Sequence, residues 1–189
     1  QMCGIAGFIG SKKIEHENIL KTIDLMKKRG PDYTGFKKYI FENKEILLIH
    51  SRLSIIDLEN RSNQPFEEGD FTVIFNGEIY NYIELKKEHN LETTTNSDTE
   101  VLLRMYIKYG AGCLQYFNGM FSFVIYNKLS KDVFVARDRL GIKPLYVYEK
   151  NNELIYSNEI STILNIYSSD FDDFGLRQYR KLRMTLKDH

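Results

Sequence analysis

Cys3 is the first nucleophile in a chain of 189 residues. A thiol at the head of a chain can use its own α-amine as base, because a free α-amine titrates near pH 8 and can accept the thiol proton. Nucleophile and base then sit on one residue, which is proximity in its simplest form. The competing role for Cys3 is a small buried hydrophobe that opens a strand, and position alone favours it. Further segments change the balance. Cys3-Gly4-Ile5-Ala6-Gly7-Phe8 is rich in small residues that admit close backbone or ligand approach. Arg29-Gly30-Pro31-Asp32, His50-Ser51-Arg52-Leu53-Ser54-Ile55 and Asn76-Gly77-Glu78-Ile79-Tyr80-Asn81 follow, and then Ser97-Asp98-Thr99-Glu100. Taken singly, each has a structural explanation. Arg29 can finish a helix, Asn76-Gly77 can be a hairpin turn, Ser97 can be only a cap, and Arg52 can pair with Asp98 between strand and helix.

The elements that must position these residues can be read from periodicity. Ile19, Leu20, Ile23 and Met26 recur at helical spacing, and Gly30-Pro31 stops that helix. A second helix is expected from Ser97, with Ser97 and Glu100 as a capping box and Val101, Leu102, Met105, Tyr106 and Tyr109 as its apolar stripe. A shorter helix is expected over Tyr82 to Glu88. Strands are expected at Ile46–Ile49, Leu53–Ile56, Phe71–Phe75, Phe121–Tyr126, Val133–Ala136, Leu145–Tyr148 and Leu154–Ser157. Short polar connections at Asn127–Lys131 and Glu149–Asn152 call for antiparallel hairpins. Helices are too few to cross over between all these strands, so the expected class is α+β with mainly antiparallel sheets.

Composition sets the outer bounds. The chain has 26 basic and 26 acidic side chains, 42% hydrophobic residues and 28% charged ones, the profile of a folded globular protein. Zero net charge gives no electrostatic case for a nucleic-acid or membrane partner. No transmembrane run and no signal peptide are visible, and Cys3 and Cys113 form neither a disulfide framework nor a metal spacing. No metal site is expected, and the expected setting is cytoplasmic. After about Leu164 the pattern degrades, and Leu176–His189 reads as a helix or arm of charge +4, leaving −4 on the remainder. A frayed, solvated end is the alternative there.

In this order the motifs resemble the class II, N-terminal-nucleophile glutamine amidotransferases, in particular the glutaminase domain of asparagine synthetases. Asn118-Gly119-Met120-Phe121-Ser122-Phe123 and Arg137-Asp138-Arg139-Leu140-Gly141-Ile142-Lys143-Pro144-Leu145-Tyr146 add to the match. The resemblance implies a four-layer αββα sandwich of the N-terminal-nucleophile hydrolases, with the nucleophile at the start of a central strand. It implies that Cys3 attacks the side-chain amide of glutamine, and that the Asn76 amide and the Gly77 N–H form an oxyanion hole. Arg52 is expected on the substrate α-carboxylate, Asp98 on its α-ammonium and Glu78 at the same end or on the amide nitrogen. Leu53 and Ile55 complete the implied substrate site. His50 is not needed as base, His16, His89 and His189 read as surface, Cys113 reads as structural, and Arg137-Asp138 reads as a tie at a strand end.

The same resemblance implies an amidotransferase domain over residues 3–165, with 166–189 leading to a synthetase domain that uses ATP and Mg. The glutaminase domain itself needs no cofactor. Glutamine is then the substrate and that attached domain the partner, with room for a homodimer. The final acceptor stays open between aspartate, another carboxylate and a sugar. Gln1-Met2 departs from the family pattern. While they are attached, the nitrogen of Cys3 is an amide and cannot act as base, so the chain is expected to be silent or slow until they are removed. A silent glutamine-binding regulatory module is the alternative from another class.

Overall fold

The computed structural model describes residues 3–28, 31–52, 63–166, 176–178 and 181–186. Among them are eleven strands and four α-helices. One sheet contains β1 (Gly4–Gly10), β2 (Tyr33–Phe41), β3 (Lys44–Arg52), β8 (Tyr146–Lys150), β9 (Glu153–Ser157) and β10 (Leu176–Gln178), in the order β10-β8-β9-β1-β3-β2. The other contains β4 (Phe66–Glu68), β5 (Phe71–Ile79), β6 (Gly119–Asn127), β7 (Asp132–Arg137) and β11 (Lys181–Thr185), in the order β11-β7-β6-β5-β4. Every strand pair is antiparallel.

Period-two alternation sends each central strand's side chains to two different cores. Ile5, Ile9, Ile46, Leu48, Leu154 and Tyr156 of the first sheet pack with Ile74, Val124, Tyr126, Val133 and Val135 of the second. The first sheet's opposite face, with Ala6, Phe8, Leu47, Ile49 and Ile155, packs under α1 (His16–Lys27) and α4 (Ile160–Ile166). The second sheet's opposite face, with Val73, Phe75, Phe123 and Phe134, packs under α2 (Tyr82–Glu88) and α3 (Asp98–Tyr109). The layers are therefore αββα. Because β3 is covered on both sides, its sequence reads as the unbroken run Ile46-Leu47-Leu48-Ile49 rather than as an alternation.

The helix over Tyr82–Glu88, both short hairpins and the Phe71-Val73-Phe75 face agree with the sequence reading. The expected strand Leu53–Ile56 and Gly30 of the Gly30-Pro31 helix stop lie outside the described residues, and α1 ends at Lys27, ahead of that stop.

Two expectations are corrected. Leu176–Gln178 and Lys181–Thr185 are neither a helix nor an outlying arm, since they pair with β8 and β7 and add one strand to each sheet. Ser97 does cap α3, but its side chain accepts from the Thr99 N–H. The Glu100 carboxylate turns back past Ser97 to accept from the Thr94 and Thr95 N–H groups and the Thr95 hydroxyl, so no reciprocal capping box forms.

Candidate active site

The inward-facing rows between the sheets are apolar over most of their length and turn polar at one end. On β3 the row runs Ile46, Leu48, His50, Arg52, and on β5 it runs Ile74, Asn76, Glu78. Cys3 stands immediately ahead of β1, at the head of a strand flanked by β3 and β9. Cys3 directly precedes Gly4 and Arg52 directly follows Ser51, the partner of Gly4, so the two residues stand at the same end of this strand pair. Alternation from Ile5 carries the thiol to the inner side, where His50 and Arg52 also lie. Arg52 is buried and donates from Nη1 to the side-chain oxygen of Asn63. Pro31 and Asp32 arrive beside it, Pro31 by a bridge to Arg52 and Asp32 by donating its N–H to the Arg52 carbonyl at 3.0 Å.

Asn76 and Gly77 are not a hairpin turn. Both lie inside β5, paired with Ser122 and Phe121. Gly77 has φ +149°, and a Cβ there would sit 2.1 Å from the Met120 carbonyl oxygen, so the strand passes only with glycine. The Phe121 N–H and carbonyl are both engaged by Asp138, across on the β7 side. The Gly77–Phe121 pair is therefore a non-hydrogen-bonded one, and the Gly77 N–H faces the other edge of β5. On that edge the Phe75 N–H donates to Gln64 Oε1 at 2.6 Å, and the Ile79 N–H donates to Asp98 Oδ2 at 3.0 Å. The Gly77 N–H lies between them, past the end of β4. The Asn76-Gly77-Glu78-Ile79-Tyr80-Asn81 and Asn118-Gly119 motifs also meet, through Tyr80 N–H to Asn118 O at 2.8 Å and Asn118 N–H to Asn81 Oδ1 at 2.9 Å.

Asp98, the first residue of α3, is buried, and its bond to the Ile79 N–H ties the helix start to β5 two residues past Gly77. Burial pushes its carboxyl up to about 6, and the Glu78 charge pushes the same way against the opposing pull of the Ile79 N–H. Two neighbouring carboxylates, one of them poised to lose its charge, make a place that a cation would stabilise. His50 is fully buried, with Nε2 3.0 Å from the Phe75 carbonyl, and burial lowers it to about 3. It is neutral at neutral pH and serves packing. Cys113 is buried in the 3-10 turn Gly110–Gln115, and burial pushes its thiol up to about 12, so it is no nucleophile near neutrality. Asp138 does tie a strand end, accepting from the N–H groups of Phe121, Leu140, Ile142 and Lys143. His89 is not a free surface residue, since its Nδ1 is 2.8 Å from the Tyr109 hydroxyl and its ring packs on Tyr109 and Tyr116. Leu53 and Ile55 lie outside the described residues.

Two residues at the site were not anticipated. Gln64 links β5 to the start of α3, since its Nε2 also reaches Thr99 Oγ1 at 3.3 Å. Asn158 Oδ1 accepts from the Ile5 N–H at 2.7 Å and from Asn76 Nδ2 at 3.0 Å. The signal for Asn158 was present in the sequence. It continues the inward row of Leu154 and Tyr156, so a polar side chain stands where the alternation calls for an apolar one.

An αββα stack of two antiparallel sheets, with Cys3 at the head of a central strand, is the fold of the N-terminal-nucleophile hydrolases. A solved chain of glutamine phosphoribosylpyrophosphate amidotransferase from B. subtilis, complexed with ADP and GMP, has the same fold, with a TM-score of 0.68 at 18% identity over 94% of this chain and 49% of that one. The chain belongs to the family described as the glutamine amidotransferase domain, whose model matches residues 2–189. It is 43% identical over 182 residues to putative asparagine synthetase [glutamine-hydrolyzing] 2 of Methanocaldococcus jannaschii, covering 87% of this chain and 35% of the relative. It is 37% identical over 175 residues to asparagine synthetase [glutamine-hydrolyzing] 3 of Bacillus subtilis, covering 86% of this chain and 27% of the relative. The chain thus spans about a third or less of the curated relatives it matches. Among the described residues, no helix is long and apolar enough to cross a membrane.

Proposed function

We propose that this chain is the glutaminase part of an asparagine-synthetase-like enzyme, releasing ammonia from glutamine through a thioester on Cys3. What supports the reading is that Cys3 directly precedes Gly4, the partner of Ser51, and Arg52 directly follows Ser51, at the same inner end as Asn76. Glutamine is a zwitterion with a reactive amide at its far end. Arg52 offers a planar bidentate partner to the α-carboxylate, and Asp98, with Glu78 beside it, offers charge to the α-ammonium. The amide carbon is then presented to the thiol.

With Cys3 at the chain start, its α-amine takes the thiol proton and the sulfur bonds to the amide carbon. Charge develops on the amide oxygen, where the Asn76 Nδ2 and Gly77 N–H are the donors. The C–N bond breaks, the leaving nitrogen takes the proton held on the α-amine, and ammonia departs. Water then attacks the thioester and returns glutamate and the thiol. The ammonia feeds a synthetase domain of the whole enzyme, whose acceptor is aspartate, another carboxylate or a sugar.

Two assays test this. A chain opening at Cys3 is expected to release ammonia from glutamine at least 100-fold faster than the chain retaining Gln1-Met2. Equal rates would contradict the self-base step. Calorimetry on the trimmed chain separates the silent-module alternative, which predicts glutamine binding with no ammonia.

A further inference from the structure

Asn158 commits both side-chain groups and its backbone N–H to bonds around the site. Its side-chain oxygen accepts from the Ile5 N–H, two residues after Cys3, and from Asn76 Nδ2. Its amide nitrogen donates to Ser122 Oγ at 2.9 Å and to the Pro144 carbonyl at 2.5 Å, and its backbone N–H donates to the Ile5 carbonyl at 3.1 Å. The Ile5 N–H can only donate and the Pro144 carbonyl can only accept, so the orientation of the Asn158 amide is determined without ambiguity. Ile5 belongs to one sheet, and Asn76 and Ser122 belong to the other. One buried oxygen therefore bridges the strand that carries the nucleophile and the strand that carries the oxyanion donor.

We propose that Asn158 is the positioning residue of the oxyanion hole, a strut that fixes both the distance between those two strands and the plane of the Asn76 amide. This rests on the glutaminase reading above. A planar amide with one N–H held has its second N–H aimed in a fixed direction, so the Asn158 oxygen orients the donor left for the substrate. Preorganised donors of this kind act without reorganising when charge develops, and that sets their catalytic value. Asn158 itself does not touch glutamine. The binding ends of the substrate are met by Arg52 and Asp98, which Asn158 does not contact, so its removal acts on turnover and not on affinity.

The experiment uses the chain opening at Cys3 with Asn158→Leu, of similar volume, and Asn158→Asp, which keeps the shared acceptor oxygen. Asn158→Leu is expected to lower kcat about 100-fold, with KM for glutamine and the alkylation rate of Cys3 by iodoacetamide both within about threefold of the parent. Alkylation by iodoacetamide displaces iodide and forms no oxyanion, so it reads the thiol without the hole. Asn158→Asp is expected to keep kcat within about tenfold of the parent, because the bonds from Ile5 and Asn76 survive and the buried carboxyl, protonated, donates to the Pro144 carbonyl in place of Nδ2. A kcat for Asn158→Leu within threefold of the parent, or equal losses in the two variants, overturns the strut while the active parent leaves the glutaminase reading standing. An inactive parent sinks that reading and this inference together. Should Asn158→Leu fail to fold, NMR of the parent decides. A separated, exchange-protected pair of Asn76 Nδ2 protons supports the strut, and an averaged pair exchanging freely with water overturns it.

Discussion

Two ends of the same inner layer, built from the same strands, do opposite jobs. At one end Ile9, Ile46, Ile74, Tyr126, Val133 and Leu154 close a dry core with almost no exposure. At the other end the same inward rows continue as His50, Arg52, Asn76, Ser122 and Asn158, equally buried but polar. Fully burying an aliphatic side chain contributes about 1.5–3 kcal/mol relative to exposure, and a buried polar group is stabilising only when it is bonded. The dry end therefore holds the sheets together. The polar end sits on that rigid base and is specified by hydrogen bonds.

Substitutions at the two ends should separate activity from stability. The largest expected effect is at Cys3. Cys3→Ala should cut ammonia release by about 10,000-fold or more while leaving Tm nearly unchanged, since half-exposed Cys3 stands ahead of the core. Collapse of the fold would instead assign it the packing role. Next is Asn76→Ala, which should lower kcat about 100- to 1,000-fold. By contrast, Ile74→Ala two residues earlier should cost about 2–5 kcal/mol of stability with kcat per folded molecule unchanged.

Asp98→Asn should raise KM for glutamine about tenfold or more, because the charge facing the ammonium is gone. The same variant should be more stable than the parent at pH 7. The folded carboxyl titrates near 6, above its unfolded value of 3.8, so the parent loses stability as pH rises through that window, on the order of 3 kcal/mol in all. For the parent, KM should rise as pH falls below about 6. A flat KM across that range, or a less stable Asp98→Asn, would break the assignment.

The smallest effect concerns His50. Its folded value near 3 lies below its ordinary 6.5, so its neutral burial contributes stability that is intact above pH 6.5 and is lost as pH falls toward 3. At pH 5 the loss should be about 2 kcal/mol. His50→Gln, which keeps a donor for the Phe75 carbonyl, should flatten that acid limb in thermal melts.

The dry end was the more legible of the two. Its alternating and continuous apolar runs located the central strands other than β1, which only the family resemblance implied, and polar linkers such as Asn127–Lys131 located the hairpins. Edge strands were missed because one-sided pairing relaxes the pattern. β2 carries Lys37 and Lys38 and is half-exposed along its length. The strand Leu176–Gln178 reads as a charged tail because its pairing partner, β8, lies about thirty residues away. At the polar end, residues inside recognisable motifs were legible one by one, but their meeting was not, because it depends on register between strands far apart in sequence. Asn158 and Gln64 belong to no motif; a break in the alternation after Tyr156 marks Asn158, but what either residue bridges shows only in the folded chain.

The central claim is that the sulfur of Cys3 takes the acyl group of glutamine. Rapid acid quenching of the chain opening at Cys3 during turnover, followed by peptide mass spectrometry, tests it most directly. A γ-glutamyl adduct on the peptide bearing Cys3, absent from Cys3→Ala, is the predicted result. Ammonia release with no adduct on Cys3, or with the adduct on Cys113, would contradict it.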